Sequence, residues 1–148
     1  MSEPAGHGTF DYTMHDGAAP IRIQHHFVDE LGLAVNIQTW ELPVGGSEGM
    51  HRHDGPQPLQ EFYQVLSGRA LMHLDGTAHR LGPGDSLLAP AGSEHDVVND
   101  GDEPLRLITV WGPPGSMDTT GFGSVQRARA VRREATGSGQ GREPGTPA

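Results

Sequence analysis

Apolar and polar residues alternate in short runs through the middle of the chain, and Gly, Pro and Asp-Gly pairs separate the runs, so the pattern predicts a succession of β-strands. Ile21 to Val28 reads as a first strand, with Ile21, Ile23 and His25 on one side. Leu33 to Pro43 sets Leu33, Val35, Ile37 and Thr39 in the alternation of a half-buried strand, with Trp40 packing at the rim. Val44 to Gly49 is a turn, and an apolar run from Glu61 ends at Gly68. Ala70, Met72 and Leu74 then alternate with Leu71 and His73, Asp75-Gly76 makes a tight hairpin, and Thr77 to Leu81 returns. Ser86 to Ala89 is a short strand between turns at Gly84-Asp85 and Pro90 to Gly92. His95 opens the next strand, and Leu105 to Trp111 is the last.

The two ends lack this pattern. Residues 1–20 mix Gly, Pro, His and Asp and read as a loosely held arm, with Phe10 and Tyr12 available to pin it and with His7 and His15 exposed to solvent. After Gly112 the run Pro113-Pro114-Gly115 breaks the last strand. Ser124 to Glu134 predicts a short helix carrying Arg127, Arg129, Arg132 and Arg133, whose reading as a solvated face is preferred to that of a lid over an anionic substrate. The last dozen residues are expected to be disordered. The organisation expected is thus an arm (1–20), a barrel (21–115) and a tail (116–148).

Composition narrows the function. A chain of 148 residues is enough for one domain with one core. There is no cysteine, which excludes disulfides and thiolate ligands, and no lysine, which excludes Schiff-base chemistry. The net charge of −9 argues against a nucleic-acid partner. No apolar run approaches the ~18 residues of a membrane span, and the first thirty residues lack a secretory pattern, so a soluble cytoplasmic protein is expected.

Histidine placement carries the candidate chemistry. Residues i and i+2 of a strand share a face, so His51 and His53 can offer both imidazoles to one point, and His95 becomes the third if the two stretches are neighbouring strands. His25 and His26 are adjacent and face opposite ways. His73 has the parity of an outer face, and His79 is a lesser candidate.

Two stretches resemble the two signature motifs of the cupin superfamily. In the first, Gly45 is followed after five residues by His51-x-His53, and Glu61 is followed after six by Gly68. In the second, Gly84 is followed after five residues by Pro90-x-Gly92, then by His95 and Asn99. The resemblance implies an all-β fold, a small antiparallel barrel or jelly roll closed by its last strand, with a metal held by His51, His53, Glu61 and His95. Seven residues separate His53 from Glu61, more than cupins usually have. Glu61 is preferred as the fourth ligand because Pro56 and Pro58 flank Gln57 and cannot donate to a ladder. Gln57 stays as the alternative ligand or as a substrate contact.

Three imidazoles and one carboxylate suit a divalent first-row ion. Fe(II) is favoured, with Mn(II), Ni(II) and Zn(II) as alternatives. Tyr63, two residues after Glu61, is expected to face the metal either as a catalytic base or as a core residue that hydrogen-bonds a ligand carboxylate. Phe62, Gln64 and Leu66 fall on the opposite face, which a partner subunit would cover in a homodimer. Met50, Leu59, Phe62, Met72, Leu74 and Trp111 fit a small, mostly apolar substrate with one chelating group, Met72 being a candidate contact. An Fe(II) oxygenase, a dioxygenase, is the first expectation. A non-redox cyclase, isomerase or lyase is the second, and a non-catalytic binding or sensing barrel the third.

Overall fold

The computed structural model describes residues 1–137. In chain order its strands are β1 (Phe10–Tyr12), β2 (Ile21–His25), β3 (Asn36–Leu42), β4 (Ser47–Arg52) and β5 (Gln60–Ser67). They continue with β6 (Ala70–Leu74), β7 (Thr77–Leu81), β8 (Ser86–Ala89), β9 (Glu94–Asn99) and β10 (Leu105–Gly112), and helix α1 (Gly123–Gly137) follows. One sheet has the order β1-β2-β3-β10-β5-β8 and the other β4-β9-β6-β7. Every pairing is antiparallel. Both sheets feed one core, in which Ile21, Ile23, Trp40, Leu42, Tyr63, Val65 and Leu107 meet Ala70, Met72 and Val97. The fold is the small antiparallel barrel expected.

The Asp75-Gly76 hairpin forms as predicted, with positive φ at both residues (47° and 81°). Two expectations need correction. The core face of β3 carries Gln38, Trp40 and Leu42, whereas Ile37 and Thr39 are only half-buried on the other side and Leu33 lies outside the strand, 66% exposed. Trp40 is therefore a core residue, not a rim residue, and its Nε1–H donates to Gln38 Oε1 at 2.7 Å. A buried indole needs such a partner, and the side with the largest apolar group wins the interior. The last strand, β10, runs between β3 and β5.

The arm is bound rather than loose. Residues Met1–Pro114 form one compact unit that includes it. Backbone groups do the pinning. Phe27 N–H donates to Glu3 Oε1 at 3.0 Å, Gly6 N–H donates to Gln24 Oε1 at 2.7 Å, and β1 pairs with β2. Phe10 and Tyr12 themselves stay exposed.

The second unit, Gly115–Ala148, holds α1, which is longer than expected and has no buried residue. Arg127 Nη1 lies 3.7 Å from Glu134 Oε1, a weak exposed pair. The last dozen residues, Gly137 apart, lie outside the described ones.

Buried Asn99 joins β9 to two loops. Its amide nitrogen lies 3.1 Å from the carbonyls of Leu42 and Pro43 and 2.9 Å from that of Glu103, and its Oδ1 accepts from Gly101 N–H at 3.0 Å. Asn99→Ala is expected to cost about 1–3 kcal/mol for each buried group left without a partner, measured as a lower urea midpoint at unchanged slope.

Candidate metal centre

The register of β4 against β9 sets His51 directly opposite His95, one from each signature stretch. His53 follows one residue beyond the end of β4, and Glu61 comes from β5 of the other sheet, buried at 6% exposure. The Nε2 atoms of His51, His53 and His95 lie 3.7, 3.6 and 2.6 Å from Glu61 Oε2. One ligand atom from each of the four residues falls within 4.8 Å of all the others. The structure thus brings together all four residues predicted as ligands.

The donor set fits a divalent ion. His51 Nδ1 lies 2.8 Å from Gly49 O and His95 Nδ1 lies 3.2 Å from Ser93 O. A carbonyl only accepts, so each Nδ1 carries a proton, the tautomer in which a metal-ligating imidazole offers its Nε2, while in the structure His95 Nε2 lies within hydrogen-bond distance, 2.6 Å, of Glu61 Oε2. His51 Nε2 is buried with no hydrogen-bond partner, the state of a nitrogen awaiting an ion. Burial works against a charge on Glu61. The close approach of the His51 ring, 3.7 Å away, and the bonds from His95 and Tyr63 outweigh it and hold the carboxyl well below the usual carboxylate range. Burial also opposes charge on His95, but its bond to Glu61 raises its pKa, whereas burial lowers that of His53. An anionic carboxylate ligand is therefore ready before any ion arrives.

Tyr63 is fully buried, and its hydroxyl donates to Glu61 Oε2 at 2.8 Å, with Glu48 Oε2 at 3.2 Å. Burial first, then the charges of Glu48 and Glu61, push this hydroxyl well above its ordinary value. It is held as a donor to the ligand carboxylate. Gln57 is exposed on the loop between β4 and β5 and stands apart from the four-residue group. Met72 is 0% exposed within the core, opposite Val97 and His79 in the ladder, so packing and not substrate contact is its place. His73 bonds Asp96 at 2.9 Å on the outer side, and neither it nor His79 approaches the group.

Two neighbours of the site were not legible as such. Glu48 shares parity with Met50, so a regular strand would turn it away from His51. A bulge intervenes: three residue steps along β4, from Glu48 to His51, span two along β9, from Val97 to His95. Both side chains consequently point inward, and Glu48 Oε1 lies 3.6 Å from His51 Nε2. Burial, then the charge of Glu61, push the Glu48 carboxyl well above its ordinary value, against the Tyr63 bond.

His15 is exposed, as expected, with 37% of its side chain accessible, yet it also stacks on His51 with ring centroids 3.7 Å apart and planes at 7°. Glycines allow the approach. A Cβ at Gly49 would sit 1.7 Å from His15 O, and one at Gly17 would sit 1.9 Å from Ser47 O. His15, Glu48 and His51 form a second group of ligand types. Parallel stacked imidazoles direct their in-plane lone pairs side by side, however, so both cannot converge on one ion.

A cavity of about 130 Å³ opens onto the site. His15, Gln38, Glu48, His53 and Glu61 form its polar wall. Met14, Trp40, Leu59 and Trp111 form its apolar wall. Leu59 and Trp111 belong to the apolar set expected around a substrate. Met50 is instead 48% exposed, and Phe62 lies on the outer side of β5.

A closed antiparallel barrel with three histidines and a glutamate converging inside defines a metal-binding barrel protein. The family model of the cupin domain matches residues 38–111, half of the chain, and the chain belongs to the cupin family. It is 28% identical over 109 residues to an uncharacterized protein of Methanocaldococcus jannaschii, covering 74% of this chain and 84% of that one. It is 31% identical over 70 residues to an oxalate-binding protein of Thermotoga maritima, where the match spans 47% of this chain and only 55% of the relative. The crystal structure of a predicted oxalate decarboxylase from Thermotoga maritima superposes with a TM-score of 0.65 at 24% identity, over 72% of this chain and 92% of that one. At that identity the likeness shows the fold. Among the described residues no helix is long and apolar enough to cross a membrane.

Wild-type protein is expected to retain stoichiometric divalent metal after dialysis, and His95→Ala far less, by elemental analysis of untagged protein. Gly49→Ala must displace the arm, and limited proteolysis is expected to cut between Thr13 and Ala19 faster while the barrel still unfolds cooperatively.

Proposed function

We propose that the chain is a metal-dependent enzyme, an Fe(II) oxygenase acting on a small chelating organic substrate. The observation that carries this reading is the convergence of His51, His53, Glu61 and His95 beside a small, partly apolar cavity. Fe(II), when bound by these four residues, supplies a redox-active centre with positions left for substrate and dioxygen. The residues do the rest. The carbonyls of Gly49 and Ser93 fix the imidazole tautomers, and Tyr63 keeps its proton on the hydroxyl and directs it to Glu61 Oε2. Met14, Leu59 and Trp111 keep water from the apolar flank of the substrate.

One observation favours a non-redox cyclase, isomerase or lyase as the second reading. Glu48 is a buried carboxyl on the cavity wall whose pKa burial pushes well above its ordinary value, and such a group can serve as a general acid. The names of the Thermotoga relatives bring oxalate into consideration as a ligand, and with it a binding protein without catalysis. The reading also includes a homodimer in the cytoplasm, supported by apolar side chains on the outer side of the larger sheet, where Phe62 has Val110 and Leu88 as ladder neighbours.

Iron-loaded protein is expected to consume oxygen only with a chelating substrate present and to lose that activity in His53→Ala. Tyr63→Phe should keep its metal and lose about 10–100-fold in rate. Proton-transfer turnover of a chelating substrate by iron-, zinc- or nickel-loaded protein, without oxygen uptake, would replace the oxygenase by the second reading. Tight ligand binding without turnover in any metal form would make it a binding protein.

A further inference from the structure

Charge is distributed unevenly around the cavity. The first unit has five arginines and no lysine, and each arginine is placed elsewhere. Arg52 leans outward to Gly92 O and Glu94. Arg69 and Arg80 flank a separate surface cavity with Asp100, and Arg22 and Arg106 flank another with Glu41. The wall beside the candidate ligands instead carries Glu48, 2% exposed, with its Oε1 3.6 Å from His51 and 3.7 Å from His15. Opposite stand Met14, Leu59 and Trp111, which offer no hydrogen bond to a second charged group apart from the indole N–H.

We propose that this cavity selects a small bidentate oxygen chelator that carries at most one negative charge and has an apolar flank, and that it discriminates against dicarboxylates. The proposal rests on the metal-dependent reading above. A divalent ion with Glu61 leaves one net positive charge at the site. A singly charged chelator neutralises it. A dicarboxylate overshoots to a net negative charge in a buried space next to Glu48, with no arginine of the first unit to compensate. Unpaired buried charge is among the costliest arrangements a protein can hold. Volume limits the size of the chelator rather than its charge, since about 130 Å³ lies well below the ~300 Å³ at which pockets for drug-sized ligands begin. The apolar wall favours a ring or alkyl flank over a second carboxylate. Oxalate, the ligand in the names of the Thermotoga proteins, is accordingly expected to be a poor ligand here.

The test uses the full-length chain loaded with Co(II), whose visible spectrum reports the ion's coordination, titrated with tropolone (a singly acidic hydroxyketone) and with oxalate. Tropolone is expected to bind at least about tenfold more tightly than oxalate. Leu59→Arg, which puts a cation at a half-buried position of the cavity wall, should strengthen oxalate binding by about tenfold. Oxalate binding as tightly as tropolone to the wild type would overturn the proposal, as would an oxalate affinity unmoved by Leu59→Arg. If cobalt binds but neither chelator alters its spectrum, the cavity proposal falls and the metal centre stands. Failure to bind cobalt at all would remove the metal-dependent reading itself.

Discussion

Everything else in this protein depends on bringing three imidazoles and one carboxylate to a single point. Like dipoles and an unpaired carboxylate do not gather in a barrel interior unless the chain forces them together, because each loses water on entry. Here the force is supplied by backbone ladders. The β4–β9 register sets His51 against His95, and the placement of β5 in the opposite sheet brings Glu61 across the interior. Packing of Trp40, Leu42, Val65 and Leu107 of the larger sheet in one core with Ala70, Met72 and Val97 of the smaller then holds the sheets at that spacing. A slip of one residue in either strand would turn a ligand outward.

Support around the ligands extends the same logic. Each of two histidines is oriented by a carbonyl two residues before it in its own stretch, so local strand geometry sets the tautomer. Tyr63 and Glu48 form a second layer beneath Glu61, and the hydroxyl has one proton for two carboxylates. The shorter of the two contacts is the one to Glu61. The N-terminal arm adds the outer wall, seated where Gly17 and Gly49 leave no Cβ in the way. Its His15 and Met14 make the cavity narrower and more apolar than the barrel alone would.

The fold was legible from turn residues and strand alternation, and the cluster of His51, His53, Glu61 and His95 from the spacing of the two motifs that carry the resemblance to cupins. The departure in spacing before Glu61 resolved in favour of the carboxylate, since the longer loop simply carries Gln57 out to solvent. Other features were not legible, for identifiable reasons. Glu48 has the wrong parity for the site, and only a bulge, invisible to strict alternation, turns it inward. His15 lies in a stretch without periodicity, and its position depends on long-range contacts of Gly17, Ala18 and Gly49. The face of β3 was misread because Ile37 and Thr39 look like core residues until Trp40 competes with them. Met72 seemed free to line a cavity because alternation tells inside from outside, but not core from cavity wall.

The central claim is that one ion sits among His51, His53, Glu61 and His95, with Glu48 and His15 beside it. A crystal structure of metal-loaded protein, with anomalous diffraction recorded at the absorption edge of the ion, tests this most directly. The account predicts a single interior peak about 2.1 Å from three Nε2 atoms and a Glu61 oxygen, with the His15 ring still stacked on His51. A peak coordinated by Glu48 and His15 in place of Glu61, or no interior peak in protein that retains metal, would contradict it.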